Sequence, residues 1–295
     1  MIIGILLNNK SYLPEAYAYQ SFLQKKNLEV ILTYKETELI NANVIILFGG
    51  FFINKKYKNK KYIIDYASIS TPPFVKIKDF IKKKLNFKPN LRIFNSEFIN
   101  NYYNFNDGIP FLIRKAGIGD QFLNISNFKI KKYDIIYSGS INSRKGLKNI
   151  LTKYLNFGCS ILIVGSVSNT FKNYFQKYKK IFFTGRIPYE KMADFYCQCE
   201  YGLNYIPNIF PYNYQYSLKF LEYSASKLKV ISNRTIFMDQ LSKKKKINFI
   251  YDDMINNLND LKNFKFEDFD IEQYKWNTIL ENIKFDQIIK NLCAE

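Results

Sequence analysis

The chain of 295 residues carries 44 Lys and Arg against 25 Asp and Glu, giving a formal net charge of +19, and 47% of its residues are hydrophobic. This composition excludes an intrinsically disordered chain, and the length suits two domains of ordinary size. Because there is no histidine and the four cysteines follow no C-x-x-C spacing, a structural zinc site is disfavoured, and any general base must be Asp, Glu, Lys, Tyr or Cys.

The first 127 residues alternate short apolar runs with helical patterns. The run IIGILL (2–7) reads as a buried strand and is followed by a helical pattern at 13–27. Strands alternating with helices are typical of parallel βαβ units. Further strands are predicted at 29–34, 43–50 and 61–66.

The alternation restarts after residue 127. Short apolar runs separated by helical segments predict a second doubly wound unit over 128–270, and 271–295 has the periodicity of a helix that could pack back across the domain junction. The sequence therefore predicts an α/β protein with two Rossmann-like domains facing across a cleft. The strands of the second unit are predicted at 134–140, 160–166, 180–185, 201–206, 229–233 and 247–251.

The apolar runs, the N-terminal residues and the basic runs indicate where in the cell the protein acts. No window approaches the ~18 consecutive apolar residues that a membrane span needs, and MIIGILLNN lacks a basic leader, so we expect a cytoplasmic chain. The basic runs at 55–61, 81–85 and 243–246 favour contact with an anionic membrane surface, at about 1 kcal/mol per basic residue. Nucleic-acid binding is the competing interpretation, although Lys, Asn, Ile, Phe and Tyr are also the residues that A+T-rich codons encode.

Two segments follow predicted strands in the manner of anion-binding loops. In YSGSINSRKGLKNIL (137–151), Gly139 ends a strand and Lys145 and Gly146 open a helix, whose unpaired N–H groups attract anions. In FTGRIPYEKM (183–192), Gly185 ends a strand, and glycine lets a ligand approach the backbone closely. A solvated lysine at a helix start is the alternative interpretation of the first segment.

A third segment, SLKFLEYSASKLKVISN (217–233), places Lys219, Glu222 and Ser226 on one face of a helix whose other face is apolar. Two interpretations remain open. The polar face could hold a ligand, or Lys219 and Glu222 could form an intrahelical ion pair worth only ~0.3 kcal/mol.

The order of these pieces resembles the nucleotide-sugar-binding domain of the family 4 glycosyltransferases, which have the GT-B fold. The resemblance covers residues 133–235 well and the N-terminal half only in outline, through its strand pattern and LRIFNSEFINNYY (91–103). It implies a glycosyltransferase that acts on a nucleotide-sugar co-substrate without a metal cofactor, and it favours a retaining over an inverting course.

The resemblance also implies roles for single residues. Gly139, Lys145 and Gly146 match the loop that grips the donor diphosphate, while Ser140 stands where the family has an arginine, for which Arg144 could substitute. Glu222 matches the second glutamate of the family's paired motif and would bind the donor ribose. The remaining donor-binding candidates are Gly185, Arg186, Ile187 and Lys219.

The first glutamate of that motif is replaced by Tyr214, which would lie near the donor sugar. An inverting course would need a carboxylate base, for which Asp65 is the first candidate and Glu15 the second. The expected acceptor is a glycan or a lipid-linked glycan of capsule or lipopolysaccharide synthesis. Alternatives are a binding module that has lost turnover, a sugar-nucleotide epimerase and, least favoured, a nucleic-acid-binding protein.

Overall fold

The computed structural model describes residues 1–8, 12–123, 131–142, 144–243 and 248–294. The chain divides into unit 1, formed by Met1–Gly119 together with Glu272–Glu295, and unit 2, formed by Asp120–Ile271. The predicted domain boundary at residue 127 lies outside the described residues, as do three lysines of the basic run 243–246.

Unit 1 is built on a six-stranded parallel sheet with strand order β2-β1-β3-β4-β5-β6. All five residues of β3 are buried, as expected for a strand covered by helices on both faces. The strands are β1 (Ile2–Leu6), β2 (Glu29–Thr33), β3 (Val44–Phe48), β4 (Lys61–Tyr66), β5 (Leu91–Phe94) and β6 (Phe111–Ile113). The helices are α1 (Pro14–Lys25), α2 (Val75–Leu85), α3 (Glu97–Tyr103), α10 (Trp276–Asn282) and α11 (Phe285–Ala294).

The C-terminal segment completes the core of unit 1. Trp276, Leu280, Phe285 and Ile289 belong to one buried cluster with residues of β1, β3 and α1. The single helix predicted over 271–295 is two helices, because Lys284 between them adopts a positive φ of 52°, which a continuing right-handed helix does not allow.

Unit 2 repeats the architecture with a six-stranded parallel sheet of order β12-β11-β10-β7-β8-β9. The neighbouring strands β7 and β8 pair in register from Ile135↔Ile161 to Ser138↔Val164. The strands are β7 (Tyr133–Ser138), β8 (Ile161–Val164), β9 (Ile181–Gly185), β10 (Cys199–Asn204), β11 (Lys229–Ser232) and β12 (Phe249–Tyr251). The helices are α4 (Leu147–Asn156), α5 (Asn169–Phe175), α6 (Met192–Tyr196), α7 (Leu218–Ala225), α8 (Ile236–Ser242) and α9 (Leu258–Asn263).

Short 3₁₀ turns connect several of these elements. Two of them matter for the site, Tyr189–Lys191 before α6 and Tyr212–Tyr214 before α7. The others are Glu36–Leu39, Asp120–Phe122, Asp252–Met254 and Glu272–Tyr274.

The expected fold class is confirmed, since both sheets are parallel and alternate with helices along the chain. Of the strands described, β5 and β6 were not predicted as separate strands, and β6 is only three residues long. Within the described part of the chain, no helix combines the length and the apolar character needed to cross a bilayer.

Candidate functional site

Three neighbouring strands of unit 2 each end in a glycine with positive φ. Gly139 (φ 109°) follows β7, Gly165 (φ 146°) follows β8, and Gly185 (φ 78°) is the last residue of β9. Carboxyl ends of parallel strands are where open α/β sheets bind ligands. The three strand ends therefore present bare backbone to this edge of the sheet.

Close packing explains why one of these positions, Gly165, needs glycine, whereas Gly139 is set apart by its positive φ. The Gly139 N–H donates to Val164 O at 3.0 Å, and the Gly165 N–H donates to Gly185 O at 2.9 Å. A Cβ on Gly165 would overlap the carbonyl oxygen of Gly139. Gly185 differs, because a Cβ there would meet open space, and its glycine leaves room above β9.

The loop after β7 leads into the N-terminus of α4. Gly146 has a φ of 90°, and a Cβ on it would overlap the hydroxyl of Tyr205, which donates to the Lys145 carbonyl at 2.6 Å. Lys145 itself is exposed. The positive end of this ten-residue helix and the Lys145 side chain both favour an anion here.

Lys219, on the first turn of α7, lies beside the first of these glycines. Its ammonium donates to Tyr205 O at 3.1 Å and lies 4.6 Å from the centroid of the Tyr137 ring. Its Cδ is 4.0 Å from the position that a Cβ on Gly139 would occupy. Burial and the nearby Arg144 cation lower the pKa of Lys219 to about 7, so the site holds this positive charge weakly when no anion is bound.

Glu222, one turn further along α7, is buried and bound by two tyrosines. Tyr189 OH donates to Oε1 at 2.6 Å, and Tyr196 OH donates to Oε2 at 2.9 Å. Burial raises the pKa of Glu222 to about 7 even though both hydroxyls and Lys219 favour the carboxylate. Each carboxylate oxygen has a second lone pair, which leaves acceptor capacity for a ligand hydroxyl.

A buried hydrogen-bond chain connects Glu222 to the end of β7. Tyr196 OH is 2.9 Å from Ser138 Oγ, which in turn is 3.0 Å from Tyr223 OH. The Phe122 ring packs against Tyr189 and Tyr196, with centroids 5.4 and 5.5 Å apart. Glu222 is thus held in one place relative to Ser138 and to Gly139, the next residue.

Arg144 is the cation that the loop offers in place of an arginine at Ser140. Its guanidinium lies 4.7 Å from the centroid of the Tyr212 ring, and its Nε is buried and hydrogen-bonds to none of the described residues. Ser140 is exposed, and its carbonyl accepts a hydrogen bond from Tyr137 OH at 2.8 Å. Arg144 is close enough to Lys219 to lower the pKa of that lysine, so the two cations share one region.

The other donor-side candidates lie on loops. Arg186 is exposed and Ile187 half-buried, between Gly185 and the Tyr189–Lys191 turn that supplies a partner of Glu222. Tyr214 is 39% exposed in the Tyr212–Tyr214 turn and packs edge-on against Phe210, with 6.0 Å between centroids.

The candidate bases of unit 1 belong to a buried ionic cluster. Asp65 Oδ2 accepts hydrogen bonds from Tyr19 OH at 2.6 Å and from Arg114 Nε and Nη2 at 3.0 and 2.9 Å, and the residue is 0% exposed. Glu15 Oε1 lies 3.7 Å from Arg114 Nη2. Burial raises the pKa of Glu15, and the Arg114 cation opposes that rise.

These contacts favour a structural role for Asp65 over a role as general base, because Oδ2 already accepts hydrogen bonds from the Arg114 guanidinium and the Tyr19 hydroxyl. Asp65 Oδ1 is also buried and makes no hydrogen bond to the described residues. Asp65 and Glu15 do lie close together, as the cluster around Arg114 requires.

Sequence reasoning missed several residues of the unit 2 site, notably Tyr189, Tyr196 and Gly165. A signal existed for each. The two tyrosines are seven residues apart, the spacing of one helix face, and the segments SGS, VGS and TGR repeat one pattern of an apolar run ending in glycine.

Among the described residues, no three His, Cys, Asp or Glu side chains lie together as a metal ion would require. The cysteines are free thiols, with Cys159, Cys197 and Cys199 buried and Cys293 half-buried.

Comparison with solved structures places this chain among the GT-B proteins by fold. It is similar over 100% of its length to 98% of AviGT4, a glycosyltransferase involved in avilamycin A biosynthesis, with a TM-score of 0.66 and 11% identity. T4 phage BGT in complex with its UDP-glucose substrate matches with a TM-score of 0.56 and 16% identity, covering 100% of both chains.

A UDP-GlcNAc 2-epimerase from Methanocaldococcus jannaschii matches with a TM-score of 0.57 and 10% identity, again over 100% of both chains. The chain therefore has the GT-B fold, two Rossmann-like units in tandem. No family model and no curated protein matches the sequence.

Proposed function

We propose that this protein is a glycosyltransferase that moves a sugar from a nucleotide-sugar donor bound on unit 2. The observation that carries the proposal is the convergence of Lys219 and Glu222 on the Gly139 strand end, within a row of three glycines. A cation beside exposed backbone suits a diphosphate, and a buried carboxylate suits vicinal hydroxyls of a ribose. The neighbours that act on UDP-sugars support a uridine donor.

In the proposed reaction the departing nucleoside diphosphate gains negative charge as the glycosidic bond breaks. Lys219, Arg144 and Lys145, with the N-terminus of α4, would stabilise that charge. Binding of the diphosphate would also raise the pKa of Lys219 and so fix its proton. Because these cations can supply the neutralising charge, we propose that transfer needs no divalent metal, and activity that survives EDTA would support this.

We propose a retaining course. An inverting course would need a carboxylate base, and the first candidate, Asp65, is buried and already hydrogen-bonded to Tyr19 and Arg114. The acceptor we propose is a glycan, free or lipid-linked, of a bacterial-type surface polysaccharide such as capsule or lipopolysaccharide.

A sugar-nucleotide epimerase is the second candidate, favoured by one of the structural neighbours. An epimerase would convert the sugar nucleotide into its epimer with no acceptor present, and this reaction distinguishes it from a glycosyltransferase.

The test is a thermal-shift screen against UDP, GDP, CMP and dTDP and their sugars, because a ligand that binds the folded state raises its melting temperature. We expect a shift with UDP and UDP-sugars that Glu222→Ala and Lys219→Met reduce. Glu200→Ala is the matched control, since Glu200 pairs with Lys229 at 2.6 Å near the start of β10. No shift with any nucleotide would overturn the proposal.

A further inference from the structure

Helix α2 of unit 1 turns its apolar side chains outward. Ile77 and Phe80 are 58% and 61% exposed, and Ile81 and Leu85 follow at 36% and 50%. The spacing of these four residues is that of one helix face. On most surface helices this stripe faces the core, so the orientation of α2 needs a specific cause.

The cause is Asp79, the one residue of α2 that is fully buried. Its carboxylate accepts hydrogen bonds from Tyr103 OH at 2.8 Å, from Tyr102 OH at 3.2 Å and from the Ser70 N–H at 3.2 Å. Lys82 lies on the same side, with Nζ 3.4 Å from Asp79 and 2.7 Å from Ser70 Oγ. Four polar contacts therefore fix the rotation of α2 with its apolar stripe toward solvent.

Neighbouring segments extend this stripe. Phe74, which precedes α2 in a left-handed conformation, is 70% exposed. Phe51 and Ile53 are 52% and 60% exposed, and Phe51 lies under the Lys82 ammonium at 5.9 Å. The Phe52 N–H donates to Asn86 Oδ1 at 2.9 Å, which holds the 51–53 segment against the end of α2.

The charges around the stripe have one sign. Helix α2 contains five lysines and a single acid, Asp79, which is buried. Lys84 is exposed within the arc of the apolar side chains, and Lys76 is exposed at its edge. Long lysine side chains can lay their methylenes along an apolar surface and keep the ammonium in the polar layer above it.

We propose that α2 and the 51–53 segment, together the α2 face, dock on an anionic lipid bilayer, with the helix lying in the plane of the interface. Large apolar side chains interleaved with cations and free of exposed acids match the acyl boundary and the anionic head groups at once. A nucleic acid would use the cations but leave Phe80 and Ile77 in water, and it therefore fits the face less well.

This surface does not depend on the proposed reaction. If the proposed function also holds, membrane binding through the α2 face brings the enzyme close to lipid-linked acceptors. The proposed function and the proposed membrane contact can be disproved independently, because UDP binding is measured without lipid.

The test is flotation of the full chain with vesicles of equimolar phosphatidylglycerol and phosphatidylcholine, and with vesicles of phosphatidylcholine alone. We expect binding to the first at low salt and weak binding to the second. The double variant Ile77→Ser/Phe80→Ser should bind at least about tenfold more weakly, and Lys76→Gln/Lys84→Gln about thirtyfold more weakly.

The controls change exposed residues away from α2. Ile40→Ser/Phe182→Ser replaces side chains that are 58% and 42% exposed, and Lys177→Gln/Lys179→Gln removes two charges from exposed lysines of unit 2. Both controls should bind like the unchanged protein. Circular dichroism checks that every variant is folded.

Three results would overturn the proposal. One is no binding to the anionic vesicles, and another is binding that the α2 variants leave unchanged. The third is a dimer, or a complex with duplex DNA, that sedimentation detects in the unchanged protein and that Ile77→Ser/Phe80→Ser abolishes, which would assign the face to that partner.

Discussion

Glu222 and Lys219 are opposite charges one helical turn apart, and burial works against the ionised form of each. Opposite charges in such surroundings contribute little to stability, because desolvation offsets their attraction. Such perturbed groups concentrate at functional sites. Their cost is understandable if a ligand adds partners to those that Tyr189, Tyr196 and Tyr205 already supply.

The raised pKa of Glu222 predicts how stability changes with pH. The folded state prefers the neutral acid, so this contribution is complete below about pH 4.5 and is lost as the pH rises through about 7. A displacement of that size corresponds to about 3 kcal/mol. We expect Glu222→Gln to lose less stability than the unchanged protein between pH 5 and pH 8, as measured by urea unfolding at both values.

Lys219 provides the control of opposite sign. Its lowered pKa means that the folded state prefers the neutral amine, so the contribution is present above pH 10.5 and is lost as the pH falls through about 7. Lys219→Met should therefore flatten the profile between pH 8 and pH 10 rather than between pH 5 and pH 7. Identical profiles for both variants and the unchanged protein would contradict this account.

Gly165 allows the effect of close packing to be separated from that of backbone strain. Gly165→Ala introduces both a positive-φ alanine and an overlap with the Gly139 carbonyl, whereas Gly158→Ala introduces only the positive φ, since nothing lies within 4 Å. We expect Gly158→Ala to lower the free energy of unfolding by about 1 kcal/mol and Gly165→Ala to lower it by more. Equal losses in urea unfolding would show that the strand ends tolerate a side chain.

At this scale the sequence indicated part of the site. Helical periodicity placed Lys219 and Glu222 on one face of α7, and the apolar run before Gly139 placed that glycine at a strand end. Periodicity within one helix says nothing about which residues of another segment meet it. The pairing of Glu222 with Tyr189 and Tyr196 is a tertiary contact 33 and 26 residues away in sequence, and it required the fold.

Among the elements, β4, β6 and α1 meet in the cluster of Asp65, Arg114, Tyr19 and Glu15. Arg114 is the largest of the fully buried side chains and follows β6 directly. Burial disfavours its charge, yet Asp65, Tyr19 and Glu15 raise the pKa of Arg114 above its usual value. The cation therefore persists inside unit 1 and depends on Asp65.

Asp65→Asn should accordingly lower the free energy of unfolding by about 3 to 5 kcal/mol, because it leaves the Arg114 charge without its closest partner. Asp65→Asn/Arg114→Met removes the buried cation too and should recover much of that loss. Urea unfolding measures both variants. If the double variant regains stability and turnover together, Asp65 is structural, whereas regained stability without turnover would support a direct role in the reaction.

The elements also show where patterns are informative and where they mislead. Most strands are continuous apolar runs, which is why they were predictable, and β3 ends two residues early because Gly49 and Gly50 both adopt positive φ. The orientation of α2 could not be predicted, since its apolar stripe suggests a buried face. The buried Asp79 carboxylate, bound by Tyr103, Tyr102 and Ser70 from outside α2, outweighs that pattern.

At the scale of the whole molecule, the chain returns to unit 1 after completing unit 2. Leu280, Phe285 and Ile289 are each 0% exposed and share a core with β1 and β3, more than 230 residues earlier in sequence. The sequence predicted a helical segment here that packs back across the domain junction, but not which strands of unit 1 it covers. Amphipathic periodicity identifies an apolar face without specifying its partner.

This topology makes the last helix, α11, part of the core of unit 1. Phe285→Ala removes a ring that packs on Tyr19 at 4.7 Å between centroids, and such truncations cost about 3 to 5 kcal/mol.

The single tryptophan, Trp276, lies in the same core, so its emission follows the unfolding of unit 1 in urea. We expect the Trp276 transition to move to lower urea while UDP affinity, measured by titration calorimetry on the proposed site of unit 2, stays unchanged. Gln287→Ala, on the exposed side of the same helix, should change neither. A cavity inside a shared core must weaken every element that lines it. If Phe285→Ala left the urea midpoint of the Trp276 transition unchanged, the stability of unit 1 would not depend on this segment.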